Sequence, residues 1–63
     1  MKEYNVTAFA YNDGWEEVYD CDIIEANDEA EALSVAKDIL VYEAGYTAEE
    51  IEEFDLRVRE RKD

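Results

Sequence analysis

The densest run of residues able to do chemistry is Asp20, Asp22, Glu25, Asn27 and Asp28, five oxygen donors within nine positions. Hard cations such as Ca²⁺ take about six to eight oxygen ligands, so such a stretch is the natural place to seek one. The spacing argues against a built site. Counted from Asp20, the EF-hand pattern needs an oxygen ligand where Ile24 stands and a glycine where Glu25 stands. Acids also belong just ahead of a helix, because its N-terminus is the positive end of the backbone dipole. No metal ligand is assigned, and weak divalent-cation association is the distant reading.

The rest of the catalytic repertoire is thin. The chain has 63 residues, no His and one cysteine, Cys21. Without His the commonest general base is missing, and neither a Ser–His nor a Cys–His pair can form. Paired carboxylates act as acid and base only in a cleft that separates their pKa values, and so small a domain offers little depth for one. The reading is a non-enzymatic protein with no catalytic residue and no cofactor. Cys21 has no partner for an internal disulfide and reads as a small buried hydrophobe. No stretch approaches the ~20 apolar residues of a membrane span, and the first residues lack an apolar signal-peptide core. A cytoplasmic setting is expected.

The elements that position these residues follow from turn chemistry and periodicity. Tyr4 to Tyr11 and Trp15 to Ala26 are rich in β-formers and flank Asp13-Gly14, a strong hairpin signal. Read as a two-residue loop, it sets Tyr4 opposite Ile23, Val6 opposite Cys21 and Ala8 opposite Tyr19 on one face. The other face then pairs Asn5 with Asp22, Thr7 with Asp20, Phe9 with Val18 and Tyr11 with Glu16. A three-residue loop would set Val6 against Asp20, so the two-residue loop is preferred.

Asn27-Asp28 supplies N-cap oxygens, and Ala32, Leu33, Ala36, Ile39 and Leu40 recur at helical spacing up to Gly45, a helix stop. Thr47-Ala48-Glu49-Glu50 matches a capping box. Phe54, Leu56 and Val58 alternate with Asp55, Arg57 and Arg59, the pattern of a half-buried strand. The expectation is one α+β domain over 1–63. Its strands fall at about 3–11, 15–25 and 54–60, its helix at about 28–44, and a helical turn at about 48–52. The order is ββαβ, with the helix on one face of a mostly antiparallel sheet; spatial order 2-1-3 is favoured over a third strand lying parallel beside the second by a right-handed crossover.

Nineteen residues are acidic and six basic, a net charge of −13. Residues 1–53 hold sixteen acids against Lys2 and Lys37, while 54–63 hold Arg57, Arg59, Arg61 and Lys62 against three acids. Direct nucleic-acid binding needs a basic footprint, and the body has the opposite sign. The arginine ladder reads as pairing across the sheet with Asp20 or Asp22. The charge serves solubility alone or meets a basic partner, with imitation of nucleic acid as the specific form of the second reading.

Three pieces carry a family likeness: the opening Met1-Lys2-Glu3-Tyr4-Asn5-Val6-Thr7, the junction Glu25-Ala26-Asn27-Asp28 followed by Glu31-Ala32, and Thr47-Ala48-Glu49-Glu50-Ile51 leading into Phe54-Asp55-Leu56. In these the chain resembles the small ββαβ proteins of the DpnD/PcfM-like type, found on phages, plasmids and other mobile elements. The resemblance implies the fold and a bacterial or phage setting. It implies no activity.

The functional expectation is an acidic protein-binding module, with a basic or nucleic-acid-binding protein as the partner it inhibits. The candidate surface is Phe9, Tyr11, Val18, Asp20, Asp22, Val35, Asp38 and Tyr42. Phe9, Val18 and Tyr11, with Ile24 further along, are expected on the sheet face away from the helix. Val35 and Tyr42 are expected on one helix flank. The alternative is a structural or regulatory accessory domain, a homodimer through the open sheet face or an edge strand, whose acidity only keeps it soluble.

Overall fold

The computed structural model describes residues 1–62. Five elements follow one another: β1 (Lys2–Tyr11), β2 (Trp15–Ala26), α1 (Glu29–Tyr42), α2 (Ala48–Glu53) and β3 (Asp55–Arg61). The three strands form one antiparallel sheet in the order β2-β1-β3, as expected for an α+β ββαβ chain. One face of the sheet is covered by α1. The other has no layer over it among the described residues.

The covered face is built on alternation. Tyr4, Val6 and Ala8 of β1 are all buried, and β3 sets Val58 opposite Val6 and Leu56 opposite Ala8. From α1 come Ala32, Ala36 and Leu40, one turn apart and fully buried. Two alanines on this stripe let the helix axis lie close to the sheet, where Tyr4, Cys21, Ile24 and Ala26 meet them. A second cluster joins Ala8, Leu40 and Ile51, and so ties α2 to both α1 and the sheet.

Both helices start on side-chain caps. Asp28 accepts from the Glu31 N–H at 2.8 Å, and Glu31 in turn accepts from the Asn27 N–H at 3.2 Å. Thr47 and Glu50 close the capping box at 3.2 and 3.0 Å. Gly45, at φ +81°, turns the chain after α1, where the Tyr46 N–H reaches the Leu40 carbonyl. A side chain there would be strained by the left-handed conformation.

The hairpin register differs from the expectation at both ends. The loop has three residues, Asn12-Asp13-Gly14, closed by the Asn12 N–H on the Gly14 carbonyl, and Tyr11 faces Trp15. Phe9 therefore faces Glu17, where the two-residue loop put Val18. A bulge between the Phe9 and Ala8 pairs takes up one residue of β2 and restores the expected middle: Ala8–Tyr19, Thr7–Asp20 and Val6–Cys21. A second irregularity, between Val6 and Tyr4, sets Tyr4 opposite Ile24 instead of Ile23. Ile23 sits at φ +53° and is exposed. A β-branched residue in that region is a steric outlier.

Candidate protein-binding surfaces

The uncovered face of the sheet carries the odd-numbered side chains of β1, the arginines of β3, and Glu17, Asp20, Asp22 and Glu25 of β2. At the loop end, Tyr11 and Trp15 stack edge to face, with ring centroids 5.3 Å apart. They are 68% and 55% exposed, although such rings gain most from burial. A shallow concavity of about 520 Å³ runs from Trp15 and Phe9 past Thr7 and Asn5 to Arg57 and Arg59.

The polar part of this face is tied together. Asp20 accepts from the Asn5 amide at 2.8 Å and from the Thr7 hydroxyl at 3.0 Å. Arg61 reaches over β1 to Asp22 at 2.8 Å, while Arg57 bonds Asp55 along its own strand. These pairs are exposed, so each contributes little to stability. They neutralise charge locally.

The expected surface residues divide. Phe9, Tyr11, Asp20 and Asp22 lie on the uncovered face. Val18 does not: it packs on the helix side with the Ala8–Leu40–Ile51 cluster, because the bulge redirects it. Ile24 is likewise core, 3% exposed. Val35 packs against the Tyr4–Ala36 cluster, while Tyr42, seven residues on, stands 84% exposed at the end of α1. Asp38 belongs to a different feature, a groove of about 560 Å³ at the junction of α1, α2 and the start of β3.

Trp15 was not among the expected residues. A two-residue loop places it opposite Asn12 and on the helix side; the three-residue loop turns it to the open face beside Tyr11. The signal that could have found it is the residue type itself, since a Trp next to a tight loop has little core to enter.

Cys21 is buried, and burial followed by the charges of Asp20 and Glu43 raises its thiol pKa, which keeps it protonated. No three Asp, Glu or Cys side chains among the described residues are grouped to hold a metal ion. Among the described residues no helix is long and apolar enough to cross a membrane. No protein-family model matches this sequence, and no curated protein or solved structure is significantly similar to it.

Charge is divided unequally between the layers. Residues 27–53, which hold both helices, carry nine acids against Lys37, leaving −8. The other residues carry ten acids against five bases, leaving −5, and all three arginines are in β3.

Proposed function

We propose that this chain is a non-enzymatic protein-binding module whose partner is a basic protein. The observation that carries the reading is the solvent-exposed Tyr11–Trp15 pair, continued by Phe9, on a sheet face without a covering layer. Aromatic side chains supply most of the anchoring energy of protein interfaces, and few other residues give as much contact area at so little entropy. The net charge of −13 attracts a basic partner at long range and raises its association rate. Inhibition of a nucleic-acid-binding protein, in the bacterial or phage cytoplasm that the DpnD/PcfM-like resemblance implies, is the specific form of this proposal.

The test uses Trp15, the single tryptophan, as its own reporter. Proteins retained by the immobilised chain at low salt are purified and titrated back while Trp15 emission is followed. The expected result is a basic partner that shifts the emission, binds at least tenfold more weakly at about 0.5 M salt, and is lost with Trp15→Ala. Binding indifferent to both salt and Trp15→Ala overturns the proposal.

A further inference from the structure

The groove at the other side of the molecule has features that stability does not explain. Its floor is apolar: Leu33 and Val41 of α1, Ile51 of α2, and Phe54 and Leu56 leading into β3. Its rim includes Asp38 and Glu52, with Lys37 the one cation lining it. From residue 38 to residue 53 the sequence holds Asp38, Glu43, Glu49, Glu50, Glu52 and Glu53 and no base.

Several of these acids stand where they work against the fold. Glu43 is the C-cap of α1, Glu52 and Glu53 end α2, and neither helix has a basic residue in its last turn. Helix C-termini already present unpaired carbonyls and negative potential, so acids there are destabilising. Locally unfavourable choices concentrate at functional sites. Of these acids, Asp38 and Glu52 line the groove; a cation brought to them relieves the repulsion at the end of α2, and an apolar side chain entering the floor removes Val41 and its neighbours from water.

We propose that the groove takes a basic amphipathic helix of the partner, with apolar side chains seated between α1 and α2 and Lys or Arg side chains on the acids of the rim. Leu33 and Val41 are eight residues apart, about 12 Å along α1, which spans two turns of a docked helix. Helix-in-groove recognition reads just such anchors one and two turns apart. A second copy of the chain is a poor occupant, because it brings its own −13 to an acidic surface. The inference rests on the proposed binding role, and assigns the partner's basic contact to the helical layer.

The probe is a 14-residue leucine–lysine peptide with its leucines on one helical face, compared with the same composition scrambled. Binding is followed by ¹⁵N chemical shifts on the whole chain. The expected result is at least tenfold tighter binding of the amphipathic peptide, with shifts centred on Val41, Ala48 and Phe54. Ala48→Trp, which fills the groove from an exposed position, and Val41→Arg each weaken binding at least tenfold, whereas Trp15→Ala changes it less than twofold. Equal affinity for both peptides, shifts centred on Tyr11 and Trp15, or unchanged binding in both groove variants overturns the inference. Capture of a salt-sensitive partner through Trp15 alone leaves the binding role standing and removes only the groove.

Discussion

The two sides of this molecule handle charge in opposite ways. On the open sheet face, acids and bases are interleaved and bonded: Asp20 holds Asn5 and Thr7, Arg61 holds Asp22, and Arg57 holds Asp55. On the helical side, only the acids near helix starts are placed to the fold's advantage. Asp28 and Glu31 cap α1, and Glu50 completes the capping box of α2. Glu43, Glu52 and Glu53 sit at helix C-terminal ends with no cation beside them in sequence. The lesson is that a net charge is a poor description of a surface. What matters is which acids are used by the fold and which are held against it.

The largest expected effect tests whether these two sides belong to one cooperative unit. Leu40 is fully buried and contacts the sheet through Ala8 and α2 through Ile51. Leu40→Ala is expected to destabilise the chain by about 2–5 kcal/mol, enough to unfold much of so small a domain. Circular dichroism and Trp15 fluorescence should then report a single shared transition. Two separate transitions would show that the helical layer melts independently of the sheet.

A smaller effect probes the sheet side. Asp20→Ala removes the acceptor shared by Asn5 and Thr7 and is expected to lower stability by about 1 kcal/mol in urea unfolding. No loss would mean that the polar face is not tied together as the geometry indicates. In the same sheet, Ile23→Asn relieves the left-handed strain and is expected to raise stability by about 1 kcal/mol. A loss instead would show that the Ile23 side chain contributes more than its backbone conformation costs.

The smallest effect concerns Cys21 and pH. Its thiol pKa is raised in the folded state, chiefly by burial, so folding favours the protonated form. The unfolded chain then binds fewer protons once pH exceeds the ordinary thiol value of about 8.5. This contribution to stability is complete below that pH and is lost as pH rises through the folded value. Cys21→Ala should flatten the alkaline decline relative to the parent chain. A decline unchanged by the substitution would assign it to other groups.

Much of this architecture was legible in the chain. Helical spacing of Ala32, Ala36 and Leu40, the Thr47–Glu50 box and the Leu56–Val58 alternation each encode a local structure that tertiary packing keeps. The strand order was only partly legible: the return through the helices allows strand three antiparallel beside strand one or parallel beside strand two, and the structure has the first. Register was legible only in the middle of the hairpin, because the third loop residue and the first bulge offset each other. Bulges leave no distinctive mark when they fall at Val18 or between Asp22 and Ile24, residues that suit either face of a strand. That is why Phe9 and Tyr11 were placed on the open face while Val18 was misplaced and Trp15 missed. The groove was illegible for a different reason. It brings together residues from Leu33 to Leu56 that only the α1–α2 turn at Gly45 juxtaposes.

On the proposed reading, acids at the C-terminal ends of the helices are kept for binding against the interest of the fold. Its most direct test is the double substitution Glu52→Gln and Glu53→Gln at the end of α2, assayed for both stability and binding of the amphipathic leucine–lysine peptide at low salt. The account predicts opposite signs: a chain more stable by about 0.5–2 kcal/mol, with peptide affinity reduced at least tenfold. A variant that is less stable, or one that binds the peptide as tightly as the parent, would contradict it.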